Sequence, residues 1–567
     1  MQIKWEVDRT ADPALIQSIA SKIDLPEVIA RILVNRGISS PEAARLFFTA
    51  GTENLYNPFQ MSDMEAAVDR VVSALNRREN IVIHGDYDVD GITAVSMLYL
   101  FLRDLGGQVS YYIPDRQQEG YGLSMAGVEE AKRRNANLII SVDCGITSLQ
   151  EIELARRLGI DAIISDHHEP GPVLPNAFAI LDPKRADDTY PFKELAGVGV
   201  AFKLAQGISE RMGLSASYLE RYLDLVAIGS AADIVPLLDE NRILVKEGLD
   251  HLNRDACEGL KALIDIAGFR RGDIQVGHIV FGLAPRINAV GRLGSAERAV
   301  RLMITRNYQH AVKIARDLET ENRRRKEIDN KTLNEALDKI QREYDPDRHK
   351  VIVLARENWH SGVIGIVASR LTDRYYRPTV MITIEDGIGK GSARSIPGFD
   401  LFSAIRECSD LLEQYGGHKY AAGLTIRADR IDEFRERFNE VASRTLQPDE
   451  LIPKLNIDAE IELKSITPRV VKTLKQFAPF GPMNMKPNFA SYNLSLAGPA
   501  RIVGSNHLKF KVTHPSSNNV VYDAIGFNLG HLLPVCADGK IVDMVYNVEE
   551  NEWMDQVTLQ LRAKDLK

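Results

Sequence analysis

The sequence predicts an α/β protein in which a parallel-sheet domain is joined by long helices to a smaller α/β domain, with a C-terminal β-barrel. Between residues 79 and 236, short β-rich runs alternate with helical patterns, which is typical of a parallel sheet covered on both faces. Residues 296–343 contain no proline or glycine and are rich in helix-forming residues. From Leu451 onward, short strands with turns favour a small barrel.

These elements divide the 567-residue chain into several domains, because a single core commonly serves about 100–200 residues. The first strands are expected at 81–83, 138–140 and 162–164, with helices at 94–103 and 149–158. The second α/β region begins with a strand at 351–354. The predicted parts are a helical N-terminal segment (1–48), the parallel-sheet domain (49–240), a helical connector (241–344), the second α/β domain (345–448) and the barrel (449–567).

Composition excludes several classes of protein. The net charge of -8 rules out a uniformly basic nucleic-acid-binding chain, so a nucleic-acid site would be a local positive groove. The four cysteines lie far apart without a CxxC pair, which disfavours a zinc knuckle and fits a reducing cytoplasm. The polar N-terminus and the lack of an apolar run of about 20 residues predict a cytoplasmic protein without a membrane partner.

Acidic and imidazole groups follow three of the predicted strands. His84-Gly-Asp-Tyr-Asp-Val-Asp90-Gly comes directly after the first strand, Asp143 after the second, and Asp166-His167-His168 after the third. Asp233 follows another apolar run. Side chains at the carboxyl ends of parallel strands share one crevice, where so many carboxylates would repel one another without cations. Oxygen and imidazole ligands suit Mn²⁺ or Mg²⁺, and a pair of such ions suits in-line phosphoryl transfer.

Two simpler interpretations compete with a metal site. Asp-x-Asp-x-Asp-Gly also opens an EF-hand calcium loop, but here the twelfth position is Met97 and the motif follows a strand. Each aspartate alone could instead be a helix N-cap. The joint occurrence of four such sites, two of them with histidine, disfavours capping as the whole explanation.

The motifs resemble those of the DHH phosphoesterase superfamily: His84-x3-Asp88-x-Asp90-Gly91, Asp143-Cys-Gly, Asp166-His-His and Gly229-x3-Asp233. Further stretches, at 86–93, 113–116, 120–123, 285–289 and 416–418, resemble the RecJ nuclease family within it. The resemblance covers nearly the whole chain. It implies a DHH domain, a DHH-associated domain and an OB-like barrel, in that order.

The resemblance also implies a ligand set for two divalent ions, Mn²⁺ or Mg²⁺, with Asp143 bridging them. The remaining ligands would be His84 and Asp88 for one ion, and Asp90, His167 and Asp233 for the other. His168 would face the scissile phosphate, where it stabilises charge or protonates the leaving oxygen; the alternative is a satisfied core histidine. Asp86 and Asp166 would contact the ligands and not the ions themselves. For Asp86, the alternative is a position beside the substrate.

Other residues are candidates for contact with the substrate. Arginine matches phosphate oxygens with two parallel hydrogen bonds, and the alternative for each arginine is a salt bridge between domains. Small residues admit a nucleotide backbone, and an indole stacks on bases. The candidates are Arg116, Arg286, Asn288, Arg292, Trp359, His360, Gly416, Gly417 and His418. In the barrel, Lys509 and Lys511 alternate with Phe510, so only one of these two features faces a binding groove.

The resulting hypothesis is a 5′-to-3′ exonuclease that releases mononucleotides from single-stranded DNA in repair and recombination. Its direction comes from the resemblance alone. A helicase and a single-strand-binding protein are the expected partners of a monomer. One competing hypothesis is a phosphodiesterase that acts on small substrates, which the barrel at 449–567 disfavours. The other is a DNA-binding protein that has lost its catalytic centre. Such a protein would lack metal ligands that are present here.

Overall fold

The computed structural model describes residues 3–116, 119–293, 295–346, 348–515, 520–537, 540–553 and 556–567. The chain forms two compact units. The smaller unit consists mainly of Arg316–Lys454, and the larger one of Trp5–Ile287, Ala296–Ala315 and Leu455–Lys567. The parallel sheet and the barrel therefore belong to the same unit.

The N-terminal segment is helical, as predicted, but it begins with a strand, β1 (Lys4–Val7). Its helices are Pro13–Lys22, Glu27–Asn35 and Pro41–Thr49. Asp12 and Ser40 begin the first and third by accepting hydrogen bonds from the backbone N–H groups of Ala14 and Ala43. A strand of four residues is too short for its periodicity to be recognised in the sequence.

The parallel sheet follows, and it confirms the predicted fold class. Its strands are β2 (Asn80–Gly85), β3 (Gln108–Tyr112), β4 (Leu138–Val142), β5 (Asp161–Ser165) and β6 (Ala179–Leu181). They pair in the order β3-β2-β4-β5-β6, and every pair is parallel. The helices of this region are Met64–Arg77, Val89–Asp104, Met125–Arg133, Leu149–Arg157, Gly197–Arg211 and Leu223–Ala232.

The connector is helical through most of its length. It contains helices Asp239–Asp255, Glu258–Ile266 and Val276–His278, a π-helical turn Ile279–Leu283, and helices Ala284–Leu293, Glu297–Ile304 and Tyr308–Glu343. The last helix has 36 residues, which corresponds to about 54 Å at the usual rise per residue.

The second α/β region has a five-stranded mixed sheet. Its strands are β7 (Ile352–Glu357), β8 (Thr379–Glu385), β9 (Ile388–Arg394), β10 (Leu412–Gly417) and β11 (Ala421–Arg427), in the order β10-β11-β9-β8-β7. Of its pairs only β7–β8 is parallel. Helices Ser361–Tyr375, Leu401–Arg406 and Ile431–Thr445 cover it.

The C-terminal region is a barrel, and its described residues include a short α-helix, Pro468–Lys475. Its strands are β12 (Lys454–Ile457), β13 (Ala459–Glu460), β14 (Phe489–Leu496), β15 (Arg501–Val503), β16 (His507–Thr513), β17 (Tyr522–Gly526), β18 (Ile541–Trp553) and β19 (Gln556–Leu566). β12 pairs with β1, and the others form the order β13-β14-β18-β19-β17-β16-β15. A further pairing of β14 with β16 closes five of these strands into a ring, as in an OB fold.

The barrel and the N-terminal helices share one hydrophobic core. Ile16 and Leu33 of the helices belong to the same buried cluster as Phe489 and Phe510 of the barrel. Arg242 extends the connection by donating to the backbone oxygen of Phe477 over 2.7 Å. Removing the barrel would therefore uncover the N-terminal helices, although the sequence suggested two separable parts.

Candidate metal centre

The parallel sheet brings the predicted ligands to one edge. β2, β4 and β5 are neighbours, and Asp143 and Asp166 directly follow the last two of them. Asp143 has a φ of +60°, a left-handed conformation that is uncommon for residues other than glycine. Its N–H donates to the Ser165 oxygen over 2.9 Å, which fixes this strained residue beside the end of β5.

His84 is the buried imidazole of β2. Its ring nitrogens are both buried and have no hydrogen-bond partner within the described part of the chain. Burial lowers the pKa of His84 to about 4, so the ring is neutral at physiological pH and keeps a lone pair for a metal ion. Gly127 provides the space, because a Cβ there would lie 2.6 Å from His84 Nε2.

Asp88 and Asp90 start the helix Val89–Asp104. Asp88 caps it by accepting from the Gly91 N–H over 3.0 Å, and its second oxygen can still serve as a ligand. Asp90 accepts from Gly197 N at 2.7 Å and Val198 N at 2.9 Å, at the start of another helix. Helix capping and metal ligation, which are alternatives for these aspartates in the sequence, are thus compatible in the structure.

His167 lies among three carboxylates. Its Nε2 is 3.1 Å from Asp143 Oδ1 and 3.6 Å from Asp233 Oδ2. Ligand atoms of Asp90, His167 and Asp233 lie within 4.8 Å of one another, as do those of Asp143, His167 and His168. Asp233 follows the helix Leu223–Ala232 rather than a strand, because a short, fully buried apolar helix resembles a buried strand in sequence.

The electrostatics of this cluster fit divalent cations. Burial, followed by the charges of neighbouring aspartates, raises the pKa of Asp90 to about 7 and that of Asp233 to about 9. The same causes raise the pKa of Asp143 well above its usual value. A cation between these groups would remove the repulsion and keep the carboxylates ionised, so the donor set fits the metals that the sequence predicts.

His168 contacts Asp166, whereas His167 lies close to the carboxylates of Asp143 and Asp233. His168 Nδ1 lies 2.7 Å from Asp166 Oδ1, and Asp166 also accepts from the backbone N–H groups of His167 and Ile146 at 2.8 and 2.9 Å. Burial disfavours the charged imidazole, but the bond to Asp166 and the nearby carboxylates outweigh burial and raise the pKa of His168 to about 9. A protonated His168 can donate a hydrogen bond through Nε2.

Sequence reasoning missed several residues of the centre. Tyr121 places its hydroxyl 2.8 Å from His168 Nε2, a contact that the family resemblance of residues 120–123 does not predict. Gly197 lies so close to Asp143 that a Cβ would be 2.4 Å from Oδ1. Asp182, after β6, is a further buried strand-end aspartate, and it accepts from the Lys184 N–H over 2.8 Å. Lys184 Nζ lies 3.5 Å from Glu169, next to His168.

Two predicted substrate contacts lie in the larger unit. The Arg116 guanidinium is 4.9 Å from the centre of the Tyr87 ring, in the loop that carries Asp86 and Asp88. Arg286 donates through Nη1 to the Gly282 oxygen over 2.7 Å. Asp86 itself is buried, and burial, followed by the charge of Asp88, raises its pKa to about 8.

The other predicted contacts belong to the smaller unit, together with the half-buried Asn288. Arg292 donates to the Gly362 oxygen over 3.0 Å, and His360 caps the helix that begins at Ser361 by accepting from the Gly362 N–H. The prediction for Trp359 is wrong: the side chain is buried in the core and its Nε1 donates to Glu335, so the indole has no exposed face for a base.

The glycine motif at the end of β10 is exposed. Gly416 and Gly417 pair with β11, and the N–H of His418 donates to the Ala421 oxygen over 2.7 Å. Their contact with a nucleotide backbone stays a prediction. Phe510, in contrast, is inside the barrel, while Lys511 is exposed and lies 3.5 Å from Asp523. The lysines therefore lie on the opposite face of the strand from Phe510, as the alternation predicted.

Three family models match the chain. The DHH family N-terminal domain matches residues 80–230, the DHHA1 domain residues 348–444 and the RecJ OB domain residues 457–565. No helix among the described residues is long and apolar enough to cross a membrane.

Curated relatives and solved structures agree with these models. The single-stranded-DNA-specific exonuclease RecJ of Bacillus subtilis is 40% identical over 100% of this chain and 71% of its own length. The Escherichia coli protein of the same name is 34% identical over 98% and 97%. The crystal structure of RecJ from Thermus thermophilus in complex with Mn²⁺ has a TM-score of 0.84 and 28% identity, covering 100% of this chain and 79% of that one.

Proposed function

The chain belongs to the RecJ family of single-stranded-DNA-specific exonucleases, and we propose that it hydrolyses single-stranded DNA from the 5′ end, releases mononucleotides and requires divalent cations. The observation that carries this proposal is the cluster of buried aspartates and neutral imidazoles at the ends of parallel strands. The relatives indicate that the substrate is single-stranded DNA, and the direction of digestion is proposed from the family resemblance.

We propose two ligand groups that share Asp143. We assign His84, Asp88 and Asp143 to one ion, and Asp90, Asp143, His167 and Asp233 to the other. Two observations support this assignment: the nitrogens of His84 have no hydrogen-bond partner among the described residues, and His167 Nε2 lies 3.1 and 3.6 Å from Asp143 and Asp233. Bound Mn²⁺ or Mg²⁺ would lower the pKa of a water molecule and neutralise charge on the attacking and leaving oxygens.

The protein's own groups position the phosphate and supply the proton. His168, charged through its contact with Asp166, is proposed to donate through Nε2 to a phosphate oxygen or the leaving oxygen. Tyr121, 2.8 Å from that nitrogen, would hold the ring in place until the substrate replaces it. Asp166 therefore acts as a positioning residue for His168.

Affinity for the strand would come from phosphate contacts. We propose that Arg116 and Arg286 bind backbone phosphates, which would make binding independent of sequence and sensitive to salt. The closed barrel adds a second surface for a single strand. A helicase that opens duplex DNA and a single-strand-binding protein remain the proposed partners of a cytoplasmic monomer.

End-labelled DNA tests this function. A single-stranded oligonucleotide labelled at its 5′ end, and the same sequence labelled at its 3′ end, are digested with Mn²⁺ or Mg²⁺. We expect the 5′ label to appear at once as mononucleotide and the 3′ label to remain on shortening fragments. Blunt duplex DNA should survive. Internal cuts, or equal attack on duplex and single strand, would contradict the proposal.

A further inference from the structure

Ile234 combines three unusual features. It directly follows Asp233, its φ is +64°, and its side chain is 70% exposed. It lies at the end of the helix Leu223–Ala232, where the chain takes a left-handed turn.

Glycine is the usual residue at this position of a helix end, because a Cβ in the left-handed conformation approaches the following carbonyl oxygen. For a β-branched residue this conformation is a clear outlier. The exposed side chain of Ile234 buries little apolar surface within the protein and therefore does not offset the cost. A chain that required only the turn would be more stable with glycine here.

The loop that carries Ile234 is fixed at both ends. The N–H of Asp233 donates to the Gly229 oxygen over 3.0 Å, and the N–H of Leu237 donates to the Pro482 oxygen over 2.9 Å. Leu237 is buried, and a Cβ at Gly481 would lie 2.5 Å from its side chain. Ile234 is thus presented to solvent at a fixed place, next to Asp233 in the chain.

We propose that Ile234 is a substrate-positioning residue whose apolar side chain packs against the sugar and base of the nucleotide bound at the metal centre. This inference rests on the proposed function. A contact of this kind is available to all four bases, because each nucleotide has an apolar sugar face and base face. The contact complements the phosphate contacts by fixing where the terminal nucleotide lies. Backbone strain like that at Ile234 recurs at functional sites of proteins.

The test compares Ile234→Gly with Ile234→Val and with Leu46→Ala, a control at a 48% exposed leucine of the helix Pro41–Thr49. Three quantities are measured: the Tm, the Kd for a single-stranded oligonucleotide in EDTA, and KM and kcat with Mn²⁺. Ile234→Gly should leave the Tm unchanged or raise it by up to about 3 °C. It should weaken Kd and raise KM about tenfold, with a smaller effect on kcat.

Ile234→Val should stay within about threefold of wild type, since it keeps most of the apolar surface. The Leu46→Ala control should match wild type in all three measurements. Unchanged Kd and KM in Ile234→Gly would overturn the inference, and so would a lowered Tm that accounts for the loss of binding. If the wild-type protein degrades single-stranded DNA and Ile234→Gly binds that DNA as tightly as wild type, only this inference fails. If the wild-type protein does not degrade single-stranded DNA, the proposed function itself fails.

Discussion

Gly197→Ala perturbs the proposed bridging ligand without replacing any of the proposed ligands. A Cβ at residue 197 would lie 2.4 Å from Asp143 Oδ1 and 2.7 Å from Asp143 Cβ, whereas ordinary contact starts at 3.4 Å. The Asp143 carboxylate must therefore move by about 1 Å, and a displacement of that size can reduce a rate about 10²-fold. Loss of ligand geometry should also weaken Mn²⁺ affinity by about 10- to 100-fold.

Gly199→Ala is the matched control, two residues further along the same helix. Its Cβ would meet Leu195 Cδ2 at 3.3 Å, a contact that a small side-chain shift relieves. Both substitutions replace glycine by a better helix former, so neither should unfold the protein. The assays are kcat on single-stranded DNA, Mn²⁺ titration by calorimetry, and thermal melting. Wild-type activity and metal affinity in Gly197→Ala would refute the reasoning, and equal losses in both variants would show that the helix, not Asp143, is responsible.

Four further predictions concern the centre and its substrate. Asp143→Ala should abolish cleavage while the fold survives; retention of more than a small fraction of activity would contradict the bridging role. Mn²⁺ at about 100 times its Kd should stabilise wild type by roughly 2.7 kcal/mol, and Asp143→Ala should lose that shift in thermal melts. His168→Ala should still bind metal in calorimetry but lose about 10²–10⁴ in rate; loss of a metal site would make His168 a ligand. Arg286→Ala should weaken DNA binding equally for all sequences and flatten its dependence on salt, whereas Arg444→Ala, an exposed residue paired with Glu407, should do neither.

The strand-end rule made most residues of this cluster predictable. Asp143 and Asp166 follow parallel strands, and their convergence needs only that β2, β4 and β5 be neighbours. Asp233 was a candidate because it follows an apolar run, and it also fits the family motif, although that run forms a buried helix and not a strand. The fold class was confirmed for the same reason: alternating strands and helices have strong periodic patterns.

Contacts between distant parts of the chain were not predictable. Gly197 supports Asp90 from a helix more than a hundred residues later, and nothing in the local sequence indicates that pairing. The shared core of the N-terminal helices and the barrel was not predictable either. The helices and the strands each have an ordinary amphipathic pattern, which does not show what they pack against. Trp359 shows the converse error: an indole beside a histidine suggested a base contact, but its burial depends on the sheet behind it.

Anomalous scattering from crystals grown with Mn²⁺ tests the two-metal centre most directly. The account predicts two manganese peaks about 3.5–4 Å apart, both within coordination distance of the Asp143 carboxylate, with His84 on one and His167 on the other. A single peak, or peaks that Asp143 does not contact, would contradict it.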